Sequence, residues 1–229
     1  KVCLIKLFIF TIFMIIPQKI YCKNSRISSK KQIIFIISLF CIVIFSNFAT
    51  MKKAIIIGAS SGIGREVASD FIRKGWRVGL IARRGALLAD LRRIATERVS
   101  IVSCDINSDK ADDKLFSLIE ELGGLDLYFH AAGIGRQNPL LDAQIEKDTL
   151  ATNVLGFSRM IGLVFRYMAD HGGGHIAVIS SIAGVKGLAP APSYSASKAF
   201  QSIYVQALEQ LSVSRQLCIR FTDIRPGFV

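Results

Sequence analysis

Six short apolar runs, at 54–57, 78–82, 99–103, 125–129, 175–179 and 217–221, alternate with helical patterns near 63–74, 86–96, 109–122, 146–170 and 195–212. Continuous apolar runs suit strands buried on both faces, and strand–helix alternation builds parallel sheets. In the fourth helical stretch Leu150, Val154, Ile161, Val164 and Met168 form one apolar stripe, which Gly172, Gly173 and Gly174 then stop. The expected fold over 51–229 is α/β: one doubly wound, Rossmann-type parallel sheet. Cys104 and Cys218 fall in expected strands and read as core residues rather than ligands or a disulfide pair.

Charge does not override this reading. The 229 residues include 29 basic and 17 acidic ones, a formal +12 that would ordinarily suggest nucleic acid or an anionic membrane. Lys1, Lys6, Lys19, Lys23, Arg26, Lys30 and Lys31 place seven of those cations, and no acid, in residues 1–50. Residues 51–229 therefore hold 22 basic and 17 acidic groups, only +5, and no nucleic-acid partner is expected.

Composition breaks at the same place. All 18 glycines follow Met51, whereas seven of 15 Phe and Cys3, Cys22 and Cys41 precede it. Three readings of residues 1–50 stay open. The missing initiator Met, the Ile-, Phe-, Lys- and Asn-rich composition and the start-like Met51-Lys52-Lys53 favour translation of A/T-rich upstream DNA. The runs 7–16 and 33–45 allow a membrane hairpin, though each is short of the roughly 20 residues a span needs. The basic loop 19–31 would then stay cytoplasmic and put the body on the other side. A cleaved signal is weakened by the second apolar run and the lack of a small-residue cleavage site. The expected organisation is an apolar, basic extension over 1–50 and one α/β domain over 51–229. Its expected location is cytoplasmic, or membrane-associated if the extension is native.

The first apolar run leads straight into Gly58-Ala59-Ser60-Ser61-Gly62-Ile63-Gly64 and then a helix. Such a turn lets a pyrophosphate approach the backbone and rest on amides at the helix N-terminus; an ordinary tight turn is the bland alternative. The second run ends Ala82-Arg83-Arg84, where dinucleotide folds place either an acid for the ribose 2′-hydroxyl or Arg for a 2′-phosphate. Two arginines and no acid favour phosphate over a solvated surface pair. Tyr194 and Lys198, four apart at the start of a helix, share one face. An ammonium beside a phenol favours the phenolate, as a general acid/base requires, although most such pairs are structural. The fifth run delivers Ser180-Ser181 at its end, where an open α/β sheet keeps its ligand crevice.

Together these residues resemble the classical short-chain dehydrogenase/reductase family. The match is carried by GASSGIG at 58–64, Asp105, HAAG at 130–133, Asn153 in TNVLG, ISS at 179–181, YSASK at 194–198 and RPG at 225–227. It covers nearly all of 51–229 and none of 1–50.

The resemblance implies an oxidoreductase moving a hydride between NADP(H), preferred over NAD(H), and a small carbonyl or alcohol. Tyr194 would be the proton donor or acceptor, and Ser181 would hold the substrate oxygen. Lys198 would bind the nicotinamide ribose and tune Tyr194, while Asn153 would position a water leading from Lys198 to solvent. The cofactor would contact Gly58, Ser60, Ser61, Gly62, Ile63 and Gly64, with Arg83 and Arg84 at the 2′-phosphate and Asp105 and Ile106 at adenine. Ala131, Ala132 and Gly133 would line the ribose and nicotinamide side. Pro226 and Gly227 would sit by the carboxamide, with Val229 also on the cofactor. No metal is expected.

Two departures stand out. His130 replaces an Asn common in the family and reads as a satisfied strand-end residue, not a catalytic one. Family members continue beyond the position of Val229 through a substrate loop, a helix and a strand. The domain is therefore expected to be C-terminally truncated, with weak turnover and run 217–221 as an exposed sheet edge. Helices 146–170 and 195–212 resemble those of the family's dimer contact, so a homodimer or homotetramer is the expected assembly. A cofactor-binding fragment without turnover, membrane-tethered or not, is the alternative from a different class.

Overall fold

The computed structural model describes residues 53–227. The expectations for residues 1–50 and for Val229 lie outside the described residues. Strand β1 (Lys53–Ile57) alternates its side chains between two apolar layers, as the two-residue period of a strand requires. Ile55 and Ile57 pack into one core cluster, and Ala54 and Ile56 into the other. Neighbours β2 (Arg77–Ala82), β3 (Val99–Ser103), β4 (Leu127–His130), β5 (Gly174–Ile179) and β6 (Ile219–Ile224) complete a six-stranded sheet in the order β3-β2-β1-β4-β5-β6. Every pairing is parallel. Both faces are covered, which is why the strands read as continuous apolar runs.

One face carries α1 (Gly62–Arg73) and α2 (Gly85–Arg92), through Val67, Phe71, Ile72, Leu88 and Leu91. The other carries α3 (Ala111–Leu122), α5 (Phe157–Asp170) and α6 (Pro192–Ser214), through Leu115, Leu118, Ile161, Val164 and Val205. A short α4 (Ala143–Leu150) precedes α5. The chain thus crosses from β3 over β1 to β4, and the order reverses between β1 and β4. Open α/β sheets bind ligands in the crevice at that switch point, outside the carboxyl ends of the strands.

Several boundaries differ from the sequence reading. The expected helix over 146–170 is three pieces: α4, a π-helical segment Ala151–Gly156, and α5. Its ladder is re-spaced where the Asn153 side chain binds the backbone of Ile134 and its carbonyl accepts from Gln201, a pattern common at functional sites. The last strand is Ile219–Ile224, not 217–221, because Gln216 turns with φ of 54° and the pairing with β5 starts at Gly174 opposite Ile219, where the Gly174 amide donates to the Cys218 carbonyl. Cys218 is accordingly exposed, while Cys104, just past β3, is buried. Helix α6 begins earlier than expected, with Pro192 in its first turn, where a missing N–H costs nothing. No helix among the described residues is long and apolar enough to cross a membrane.

Two buried histidines give the fold an acid limit. His130 on β4 shares a 2.9 Å hydrogen bond between Nδ1 and the Tyr128 hydroxyl and lies edge-on to Phe157; its Nε2 has no hydrogen-bond partner. Burial, helped by the Lys198 charge, pulls it down to about 3. His175, bonded to Thr222 at 2.8 Å, is pulled down to about 4 by burial and then by Arg220. Folded, each imidazole binds fewer protons than the unfolded chain does below 6.5. Their contribution to stability is therefore complete above 6.5 and is lost as pH falls toward about 4 and about 3. Urea denaturation at pH 5 is expected to show a loss of roughly 2 kcal/mol per histidine relative to pH 7. His175→Gln is expected to remove about half of that loss. A flat profile from pH 7 to about pH 5 contradicts the neutral burial of both rings.

Candidate active site

The site is assembled where the loops after β1, β4 and β5 meet. The Ala131 amide donates to the Ile57 carbonyl at 2.9 Å, so the turns leaving β1 and β4 lie side by side. Gly58 sits at φ 85°, and a Cβ there would lie 2.6 Å from the Ala132 nitrogen. A Cβ on Gly64 would run into the Gly58 carbonyl. Gly62 is the opposite case: with φ 54°, its Cβ would meet nothing within 4 Å. The turn is therefore packed tightly on its protein side and open at the start of α1. That is the shape a phosphate needs to reach the first helical amides.

Arg84 is fixed onto this turn, its Nη2 donating to Ser60 Oγ at 3.0 Å and Ser61 Oγ at 2.7 Å. Arg83 lies largely exposed, with Nη1 3.9 Å from Asp105 Oδ2. Asp105 turns its other oxygen to the Asn107 amide at 2.9 Å. Arg83 and Asp105, with Lys110 and Lys114, line a cleft of about 410 Å³ at the ends of β2 and β3. Ile106 is buried, its side chain against Gly156 and its carbonyl taken by Arg159. Ile63 is half-buried behind the turn.

On the other side of the switch point, Tyr194 and Lys198 sit one turn apart on α6, with Lys198 Nζ 5.8 Å from the centre of the Tyr194 ring. Lys198 is only 5% exposed, and its ammonium donates to the Ile179 carbonyl and to Gln201 Oε1, each at 2.9 Å. Burial pulls it down to about 8, with the Asp223 carboxylate opposing, so it remains mainly charged at neutral pH. Ser181 is the N-cap of the 3₁₀ turn Ile182–Gly184, its Oγ accepting from the Ala183 amide at 3.0 Å. A Cβ on Gly184 would lie 2.7 Å from the Lys198 carbonyl carbon, so this turn is docked on α6 beside Lys198.

Asn153 is fully buried. Its Oδ1 accepts from the Ile134 amide at 2.9 Å, and its Nδ2 donates to the Ile134 carbonyl at 2.7 Å and Ser197 Oγ at 3.0 Å. Gly133 faces both Asn153 Oδ1 and Lys198 Nζ. Ala131 and Ala132 complete that wall. Pro226 is brought in through its carbonyl, which accepts from the Ile182 amide at 3.1 Å, and Gly227 approaches the Ile182 side chain. These contacts bring Gly58 and Gly64 against Ala131 and Ala132, and Gly133 against Asn153 and Lys198, while Ile106 is buried against Gly156.

The sequence reading missed two groups. Gln201 is fully buried and joins the halves of the site, donating to the Asn153 carbonyl while accepting from Lys198. Its only signal is a polar residue three beyond Lys198. Gly135 lies on the Tyr194 ring: a Cβ there would be 2.9 Å from Cε2. No cluster of potential metal ligands occurs among the described residues.

The sheet order, with the glycine turn at its switch point, defines a doubly wound α/β protein. The chain belongs to the short-chain dehydrogenase family, whose model matches residues 52–229, and it is an oxidoreductase of that family. An uncharacterised oxidoreductase of Myxococcus xanthus is 37% identical over 185 residues, covering 78% of this chain and 72% of that protein. The structure of an actinorhodin polyketide ketoreductase with NADPH superposes with a TM-score of 0.71 at 29% identity, covering 78% of this chain and 71% of that one. NAD⁺-bound xylitol dehydrogenase also gives 0.71, at 26% identity, over 77% and 70%. Nicotinamide cofactors of both kinds are thus bound by proteins of this fold, and the family acts on small molecules.

Proposed function

We propose that the chain reduces a carbonyl or oxidises an alcohol with NADP(H) in preference to NAD(H), using Ser181, Tyr194, Lys198 and Asn153. The observation that carries the reading is the buried Lys198 ammonium, held between Ile179 and Gln201 beside the Tyr194 ring. The cofactor, when bound, supplies or accepts the hydride. Gly58, Gly62 and Gly64 would cradle its pyrophosphate with Ser60, Ser61 and Ile63, and Asp105 and Ile106 would border the adenine. Ala131, Ala132, Gly133, Pro226 and Gly227 would line the nicotinamide side.

The protein's own task is one proton and one geometry. Ser181 Oγ would hold the substrate oxygen and Tyr194 would exchange a proton with it. Lys198, its ammonium held beside the Tyr194 ring, would offer a donor to the ribose. Asn153, gripping Ile134 and tied to Lys198 through Gln201, fixes the wall facing that ammonium. Exposed Leu155 on the π-helical segment and Phe200 and Ile203 on α6 support the expected homodimer or homotetramer.

The cofactor preference rests on the end of β2. Ala82 stands where an acid would bind a 2′-hydroxyl, Arg84 is held on Ser60 and Ser61 of the glycine turn, and Arg83 lies exposed at the cleft beside Asp105. Replacing Ala82 by Asp and Arg83 by Ala is expected to weaken NADPH binding by about 10- to 100-fold, the worth of one charge-assisted contact, and to favour NADH. Fluorescence titration with both cofactors measures this. Equal wild-type affinity for the two removes the assignment of the arginines.

A further inference from the structure

Segment 134–142, which crosses from β4 to α4, has no regular secondary structure, yet it is pinned at two points. At Ile134 the pin is Asn153. At the other end it is Asn138, which is 2% exposed and has every polar group engaged. Its amide donates to the Pro190 carbonyl at 2.7 Å, and its Oδ1 accepts from the Asp142 amide at 2.8 Å. Its Nδ2 donates to the Asp142 carbonyl at 3.0 Å and to Glu146 Oε1 at 2.7 Å. Between the pins, Gly135 rests on the Tyr194 ring.

The same Glu146 oxygen accepts a second hydrogen bond, 2.9 Å, from Ser193 Oγ. Ser193 is buried and directly precedes Tyr194. One carboxylate oxygen in the first turn of α4 therefore joins the segment lying on the Tyr194 ring to the helical turn that carries Tyr194. Hydrogen bonds to a carboxylate are the strong ones, and both donors here are buried side chains: without it Ser193 Oγ loses this acceptor and Asn138 Nδ2 keeps only the Asp142 carbonyl.

We propose that Glu146 is a positioning residue for Tyr194, setting through Asn138 and Ser193 the spacing between segment 134–138 and the phenol. The proposal rests on the reading of Tyr194 as the proton-transfer group. Glu146 bonds to neither the glycine turn nor Arg84, so loosening the clamp misaims the phenol without weakening the nucleotide end. A displacement of about 1 Å at a reacting group costs on the order of 100-fold in rate.

The test compares Glu146→Ala, Glu146→Gln and Ser193→Ala with wild type in the full chain. Glu146→Ala is expected to lower kcat about 10- to 100-fold while cofactor affinity stays within about twofold. Glu146→Gln keeps an acceptor at the same place and is expected to restore kcat. Ser193→Ala gives a smaller drop that does not add to that of Glu146→Ala, because the two share one bond. Amide hydrogen exchange of residues 134–138 in the ligand-free protein, which needs no substrate, is expected to quicken in Glu146→Ala and return to normal in Glu146→Gln. If Glu146→Ala does not fold, Ser193→Ala with the same two readouts decides. Unchanged kcat and exchange in the alanine variants, or a glutamine variant as damaged as Glu146→Ala, overturns the proposal. A fully active Tyr194→Phe defeats the reading of the site instead. An inactive Tyr194→Phe beside a fully active Glu146→Ala defeats the clamp alone.

Discussion

Tyr194→Phe is expected to abolish turnover and leave NADPH binding almost unchanged. The substitution removes one oxygen from a ring that packs on Gly135, so the packing survives while the group proposed to transfer the proton is lost. General acid/base transfer contributes about 10²- to 10⁴-fold, and a loss of that size is expected in kcat. Lys198→Ala makes the contrast. It deletes the buried ammonium bonded to Ile179 and Gln201, and it is expected to damage cofactor binding and turnover together. Cofactor titration beside initial rates separates the two patterns. A Phe variant with a near-normal rate is incompatible with proton transfer by Tyr194.

The second large effect is expected at Gly58. Alanine there must adopt φ near 85° and place its Cβ 2.6 Å from the Ala132 nitrogen and 2.7 Å from the Ala131 carbonyl carbon, both backbone atoms that cannot rotate away. Backbone strain and overpacking together are expected to cost roughly 2–6 kcal/mol and to disrupt the cofactor turn. Gly62→Ala is the internal control. Its φ of 54° carries strain, but no atom lies within 4 Å of the added carbon, so about 1 kcal/mol is expected. Urea denaturation of both variants measures the difference. Equal stability of the two would show that the approach of the β1 and β4 turns is looser than 2.6 Å implies.

Much of the active crevice follows from local pattern. The run 54–57 needs two dry faces because all four residues are apolar, and a parallel sheet is the way to supply them. Gly58, Gly62 and Gly64 mark a turn at a strand–helix junction. Tyr194 and Lys198 share a face because helix geometry places residues four apart together. The place of the two arginines after Ala82 is legible because they directly follow the apolar run that forms β2.

Other features left no local trace. Whether residues 146–170 form one helix or three pieces was decided by Asn153 reaching back to Ile134, a partner 19 residues away. The last strand slid from 217–221 to Ile219–Ile224 because its register is set by pairing with β5, from Gly174 opposite Ile219 to Ile179 opposite Ile224. The two adjacent arginines divide into one fixed on Ser60 and Ser61 and one near Asp105, a split set by loops 20 or more residues apart.

The amino-acid sequence by itself determined the layered α/β architecture, the glycine turn and the Tyr194–Lys198 face, since each depends on spacing along one strand, turn or helix. Only the tertiary structure decided that Gln201 joins Lys198 to Asn153, that Gly135 covers the Tyr194 ring, and that Glu146 binds Asn138 and Ser193 at one oxygen. Several of these contacts join residues more than 40 positions apart, and such a contact exists only once the sheet order has brought its segments together.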